Sequence, residues 1–355
     1  MKIGLIGLDK SGKTTIFNAL TGLHADTDPF APNQETNLGT VQINDERVDK
    51  LVEIYKPKKT VYPTIEYLDL CGIDREHHDK DIFPPGSIAL LKTADALAIV
   101  LRNFASDFQT EPLQPTKDLE TIEAELIFSD MMSTEKRLDK IELSKKRGIK
   151  DTKLMLEEKV LVKCNDALQE GKSLRCLNFD KEEEKLLKGF QFLSKKPAMV
   201  IVNSGEENYV HDKALRDIVP AEYSAIEFAG KLEMDLVDLS DEDRAEFLRE
   251  YEIERSARHR LTALSYDVLG LISFFTVGEK EVHAWTIKRG MTALDAAEKI
   301  HTDLARGFIR AECFKYEDLV KYGSEKALRE KGLIRLEGKT YQVQDGDVLI
   351  IRFNV

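Results

Sequence analysis

Apolar positions along the chain change period several times, and those changes divide it. Residues 2–6 form a short apolar run before a glycine-rich turn, and residues 13–20 then follow helical spacing; a strand and a helix are predicted. Segments 39–43 and 60–70 are rich in β-branched and aromatic residues and predict strands, with a helix over 45–55 between them. The unbroken run Ala96-Leu97-Ala98-Ile99-Val100-Leu101 predicts a strand buried on both faces of a sheet. From 119 to 193 strand signals almost vanish. Leu138, Ile141 and Leu143, then Leu154, Leu156, Val160 and Leu161, form helical stripes on either side of Gly148, which predicts an antiparallel helical hairpin. Strand character returns at 197–203 and 223–229, so the hairpin reads as an insertion within one α/β domain. The last eighty or so residues predict strands over 282–287, 338–343 and 348–353, with a helix over 293–304. Lys288-Arg289-Gly290 and Asp345-Gly346-Asp347 supply turns.

The expected architecture is therefore α/β: one domain from 1–115 and 196–273, a helical insertion over 116–195, and a small β-rich domain over 274–355. In such folds ligands sit at the carboxyl ends of the strands.

Composition narrows this little. With 42% apolar and 33% charged residues, the chain reads as a globular, cytoplasmic protein. No apolar run reaches the roughly 18 residues of a membrane span, so no membrane partner is expected. Met1 to Ile6 reads as a strand, not a signal peptide. The four cysteines, Cys71, Cys164, Cys176 and Cys313, show no metal-ligand spacing and fit a reducing compartment. A net charge of −12 opposes indiscriminate nucleic-acid binding, and no DNA partner is expected. The run Lys181-Glu182-Glu183-Glu184-Lys185 reads as a solvated helix face.

The chemistry concentrates in Gly7-Leu8-Asp9-Lys10-Ser11-Gly12-Lys13-Thr14. This G-x-x-x-x-G-K-T run lies between the first strand and first helix, the setting a phosphate-binding loop requires. Backbone N–H groups from Asp9, Lys10, Ser11, Gly12, Lys13 and Thr14, with Thr15 just beyond, are placed to surround phosphates at a helix N-terminus. Lys13 is expected to bridge the β- and γ-phosphates, and the Thr14 hydroxyl to ligate Mg²⁺. Asp69-Leu70-Cys71-Gly72 ends a later strand, placing Asp69 toward the same metal and Gly72 toward the γ-phosphate. Ile73 follows where many GTPases carry a water-orienting glutamine. An aliphatic side chain cannot do that work, so hydrolysis is expected to be slow or assisted.

A guanine-reading loop normally runs Asn-Lys-x-Asp. Here the strand ends in Asn203-Ser204-Gly205-Glu206, without the lysine and with Glu206 for the aspartate, so guanine selection is weakened and adenine becomes a credible base. Ala229-Gly230-Lys231 is the expected final base-side loop. Two basic clusters, Lys145-Lys146-Arg147 and Arg255-Ser256-Ala257-Arg258-His259-Arg260, are candidate RNA-facing patches, with solvated helix faces as the plainer reading.

With these motifs laid out, the chain resembles the YchF-type, Obg-related ATPases over nearly its whole length. Similar stretches include Phe17-Asn18-Ala19-Leu20-Thr21, Asp45-Glu46-Arg47-Val48-Asp49, Asp241-Glu242-Asp243-Arg244, Lys280 through Ile287, Gly307-Phe308-Ile309-Arg310-Ala311-Glu312 and Gln344-Asp345-Gly346-Asp347-Val348. The resemblance implies a phosphate-loop NTPase domain, an inserted coiled-coil hairpin, a C-terminal β-grasp (TGS) domain, ATP preference through Asn203 and Glu206, and association with a ribosome or similar particle. It also places an aliphatic residue at Ile73.

Departures fall in the switch elements. Asp9, Lys10 and Ser11 replace the family's Pro-Asn-Val, and a Lys10 ammonium would take the place of a monovalent cation. In switch I, Asn33 stands where a metal-sensing threonine belongs, and Thr36 is the candidate substitute. The family's candidate catalytic histidine has no match in Ala105-Ser106-Asp107-Phe108, leaving His77 and His78 as alternatives. A non-hydrolysing nucleotide-binding scaffold and a GTP-preferring switch are the competing readings.

Overall fold

The computed structural model describes residues 1–25, 36–70, 86–105, 112–148, 151–205, 207–210, 212–213, 215–237, 239–240, 242–243, 246 and 256–354. The chain divides into two compact units: residues 1–39 with 66–260, and residues 40–65 with 261–355.

The first unit is built on a six-stranded sheet in the order β2-β4-β1-β5-β6-β7. Its strands are β1 (Lys2–Ile6), β2 (Asn37–Gln42), β4 (Thr64–Asp69), β5 (Ala96–Asn103), β6 (Ala198–Ser204) and β7 (Ser224–Phe228). β1 pairs in parallel with both β4 and β5, and β5, β6 and β7 continue in parallel. Consecutive buried residues in β5 and β6 explain why those segments read as unbroken apolar runs. The strand order reverses at β1, so the loop after Ile6 opens at a topological switch point.

The helices α1 (Lys13–Thr21) and α3 (Ser87–Thr93) belong to this unit, as does the insertion, which consists of α4 (Pro115–Lys146), α5 (Thr152–Gln169) and α6 (Lys181–Leu187). Gly148, at φ 82°, turns the chain between α4 and α5. Ile141 packs with Val160, Leu161, Cys164 and Leu168 between them, and Arg137 joins Glu157 across the pair at 2.7 Å. Asp130, buried on α4, accepts from Leu193 N at 2.9 Å, Ser194 N at 2.7 Å and Ser194 Oγ at 2.7 Å. These bonds tie the start of the hairpin to its return. The short helices α7 (Leu215–Ile218) and α8 (Gly230–Val237) complete the helices wholly within the unit, among the described residues.

The second unit carries a six-stranded sheet in the order β11-β10-β12-β8-β9-β3. Its strands are β3 (Lys59–Val61), β8 (Leu271–Thr276), β9 (Glu281–Lys288), β10 (Phe308–Lys315), β11 (Arg335–Glu337) and β12 (Asp347–Phe353). The β8–β9 hairpin, the parallel β8–β12 pairing and the antiparallel β12–β10 pairing, with a helix over Ala293–Ile300, form a β-grasp module.

Residues 40–65, expected in the phosphate-loop domain, group instead with the C-terminal unit. The cause is apolar burial on α2 (Glu46–Tyr55), where Val48 and Leu51 enter a core with Phe275, Val282, Phe314 and Val348. Arg47 holds Asp345 at 2.6 Å, and Asp345 accepts from Ser273 N at 2.8 Å. Three local expectations also fail. Segment 60–70 is split, because Pro63 has no N–H to give a ladder; β3 pairs with β9 and β4 with β1. The expected strand over 338–343 is a turn, with Tyr341 N donating to Gly338 O at 3.2 Å, and the strand lies earlier, at β11. The helix over 293–304 breaks at His301, an extended residue whose Nδ1 accepts from Asp303 N at 3.1 Å.

Candidate functional site

The loop after β1 is shaped by two glycines and one strained residue. A Cβ at Gly7 would lie 2.6 Å from Val100 O, so only glycine lets the chain turn this close to β5. Lys10 (φ 61°) and Gly12 (φ 86°) are left-handed, and a Cβ at Gly12 would lie 2.1 Å from Asn203 Nδ2. Gly12 is the N-cap of α1, and no side chain caps that helix. An uncapped N-terminus beneath a glycine-rich loop is suited to an anion. Lys13 is buried and donates to Gly7 O at 3.2 Å and Leu8 O at 2.9 Å, so its ammonium stays inside the loop.

Asp69 ends β4 beside it, 4% exposed. Its Oδ2 accepts from Thr14 Oγ1 at 2.9 Å and from Asn37 Nδ2 at 3.3 Å. Burial pushes the Asp69 pKa up, while the Thr14 bond, the Lys13 charge and the Asn37 bond pull it back. Two buried oxygens, Asp69 Oδ1 and Ser11 Oγ, have no hydrogen-bond partner among the described residues. A hard cation and a phosphate would satisfy such atoms, and a hydroxyl beside a carboxylate is a donor set that fits Mg²⁺. Thr36 is exposed; it is the next residue, Asn37, that reaches Asp69. Nothing in a lone asparagine at a strand start marks that contact in advance.

Asn203 closes the arrangement from β6. It is 4% exposed, donates to Ser11 O at 3.0 Å and accepts from Gly230 N at 3.1 Å. A Cβ at Gly230 would lie 2.8 Å from Asn203 Oδ1 and 3.4 Å from Thr15 Cγ2. Gly230 and Ala229 are buried, and Lys231 is exposed on the first turn of α8. Phe104 stands between the two loops: its Cε1 is 3.6 Å from a Cβ at Gly12, and its own Cβ 3.2 Å from one at Gly205. Behind them Ser204 Oγ donates to the buried Glu227 at 2.6 Å, and Glu227 accepts from Val210 N at 3.1 Å and Asp212 N at 3.0 Å. Phe104 and Glu227 escaped the sequence reading because a lone aromatic and a lone buried acid carry no motif. Gly72, Ile73, His77, His78 and Glu206 lie outside the described residues.

Three members of the basic clusters are held by acids. Lys145 pairs with Glu158, Lys146 with Glu142 at 2.7 Å, and Arg260 with Asp212 while donating to Tyr209 Oη at 3.0 Å.

A phosphate loop at a switch point, facing a buried aspartate and braced by an asparagine from a neighbouring strand, defines a phosphate-loop NTPase domain. Residues 2–128 match the family described as 50S ribosome-binding GTPase, and residues 271–354 match the YchF GTPase C-terminal family, described as a protein of unknown function. The chain is 38% identical to the "Ribosome-binding ATPase YchF" of Bacillus subtilis, over 99% of each chain. It is 37% identical to the protein of the same name from Escherichia coli O157:H7, over 100% of this chain and 99% of that one. The solved Schizosaccharomyces pombe YchF GTPase superposes with a TM-score of 0.82 at 26% identity, covering 99% of this chain and 97% of that one. The chain belongs to the YchF family.

Proposed function

We propose that the protein is a regulatory NTPase that binds Mg²⁺ and ATP in preference to GTP, hydrolyses slowly or on stimulation, and associates with the ribosome. The observation that carries this reading is the convergence of Lys13, Thr14, Asp69 and Asn203 on one loop, through bonds of 2.9 Å from Thr14 to Asp69 and 3.0 Å from Asn203 to Ser11. The names of the relatives, ribosome-binding ATPases, support the partner and the base.

Each group has a role in this account. The Lys13 ammonium moves from carbonyls to the β- and γ-phosphates, replacing weak neutral acceptors with charged ones. Thr14 and Asp69 would hold Mg²⁺, which when bound would neutralise phosphate charge. Asn203 keeps the phosphate loop and the base-side loop in register, and Phe104 offers an aromatic face to the base. Adenine is favoured because Asn203-Ser204-Gly205-Glu206 lacks the lysine and aspartate of a guanine reader. Slow turnover follows from Ile73, which has no hydrogen-bonding group to orient water.

Competition of ATP against GTP, with phosphate release measured with and without ribosomes, tests the reading. ATP preference with ribosome-stimulated release supports it; tight GTP preference, or ATP binding with no release under either condition, overturns the base assignment or the enzymatic one.

A further inference from the structure

At the opposite end of the first sheet from the phosphate loop lies a cavity of about 590 Å³. It opens where the chain enters β5 and β6, beside Asp95 and Pro197, and α6 forms its outer wall. Six lysines line it: Lys92, Lys181, Lys185, Lys188, Lys195 and Lys196. Among the described residues, the lining carboxylates are Asp95 and Glu184, against which the six lysines leave an excess of four positive charges.

Both carboxylates are already engaged. Glu184 holds Lys195 through both oxygens at 2.8 Å, and Asp95 accepts from Lys2 N at 2.9 Å. Lys196 is half-buried and donates to Lys92 O at 3.0 Å and Ala94 O at 2.5 Å, which fixes it as the floor. Burial holds its pKa below the ordinary lysine range. The side-chain ammoniums of Lys92, Lys181, Lys185 and Lys188 have no hydrogen bond or ion pair among the described residues. In a chain of net charge −12, these lysines give one concavity a locally positive lining, in which Lys92 also feels the buried Asp130 carboxylate.

Lys181, Lys185 and Lys188 recur at helical spacing, so they share the face of α6 and its C-cap that lines the cavity. The volume lies in the range of ligand pockets, about 300–1,000 Å³. The ligand must bring several negative charges into that volume. Phosphates do so, each offering several acceptor oxygens to ammonium donors, whereas a peptide spreads its carboxylates along an extended chain. Lysines without an arginine fork suit phosphate held as point charge, without base recognition.

We propose that this cavity is a second phosphate-binding site, distinct from the nucleotide site, which takes the closely spaced phosphates of an oligophosphate anion. Such phosphates come from a free inorganic oligophosphate or from the backbone of a single RNA strand. The inference does not depend on the nucleotide reading above.

The test uses the whole chain carrying Lys13→Ala, so that the phosphate loop contributes less and contributes equally to both proteins, and compares it with the same chain carrying also Lys181→Ala, Lys185→Ala and Lys188→Ala. These three lysines are exposed, and equal melting temperatures verify the fold. Inorganic tripolyphosphate is titrated by calorimetry, and a labelled oligouridylate by fluorescence anisotropy across salt. The expected result is binding that weakens at least about tenfold in the triple-alanine protein and is restored by arginine at the same positions. For oligouridylate the salt slope falls by about two, since each lost phosphate contact removes roughly 0.7. Binding of tripolyphosphate alone assigns the free anion as the source; loss of both assigns the strand backbone as well. No binding of either probe, equal binding by the triple-alanine protein, or equally tight binding of polyglutamate would overturn the proposal.

Discussion

Asn203 on β6 donates to the Ser11 carbonyl at 3.0 Å, joining two residues 192 positions apart. The same carboxamide accepts from Gly230 N at 3.1 Å, so one side chain braces the phosphate loop against the loop after β7. Asn203→Ala leaves a buried carbonyl and a buried N–H without partners, at a cost of roughly 2 kcal/mol. Denaturant unfolding should show that loss, and calorimetry should show weaker nucleotide binding. Asn203→Asp, which keeps the acceptor and loses the donor, should weaken nucleotide binding further by adding a negative charge beside the phosphates.

Gly12 admits no side chain. Its φ is 86°, and a Cβ there would meet Asn203 Nδ2 at 2.1 Å. Gly12→Ala should therefore abolish nucleotide binding measured by fluorescent-analogue titration, while circular dichroism still reports a folded chain, because the strain is confined to the loop.

Asp69 makes binding and stability respond to pH with opposite signs. Burial raises its pKa from the ordinary 3.8, and Mg²⁺ needs the carboxylate ionised. Mg²⁺-dependent ATP binding should fail on acidification at a higher pH than an exposed aspartate would dictate. Without ligand the fold favours the protonated form. Asp69's contribution to stability is thus full below its unfolded pKa and lost as pH rises through its folded pKa. Asp69→Asn should flatten both profiles, read by calorimetry and by denaturation across pH.

Asp130 anchors the helical insertion by accepting from two backbone N–H groups and a hydroxyl of Leu193 and Ser194. Asp130→Ala should destabilise the first unit by roughly 3 kcal/mol. Urea unfolding should show a lower midpoint, with ATP affinity little changed at concentrations where the chain is folded.

Lys10 occupies the loop position from which related enzymes hold a monovalent cation. ATP hydrolysis should run at the same rate in potassium and sodium, and Lys10→Asn should confer stimulation by potassium over sodium.

Much of the site could be read from sequence where its chemistry is local. Gly7, Gly12, Lys13 and Thr14 sit in one continuous run, and Asp69 ends a strand one unit later. Contacts made across the fold left no such trace. Asn37 meets Asp69, and Phe104 meets the loops, through proximity that only strand order creates. The assignment of 40–65 failed for a related reason: the amphipathic pattern of α2 shows that Val48 and Leu51 are buried but not which core receives them. Arg47 and Asp345 lay in two separate family-like stretches, and their 2.6 Å pairing is visible only in the fold. Lys181 and Lys185 read as a solvated face and both are exposed; that they also border a concavity with Lys92 is a tertiary proximity that period alone does not show.

The central claim is that Lys13 and its loop bind the phosphates of ATP. Isothermal titration of ATP with Mg²⁺ into wild-type and Lys13→Ala protein tests it most directly. The account predicts saturable one-site binding by the wild type, tighter for ATP than for GTP, and a loss of at least about tenfold on Lys13→Ala. Equal affinity in the two proteins, or no binding of either nucleotide to the folded wild type, would contradict it.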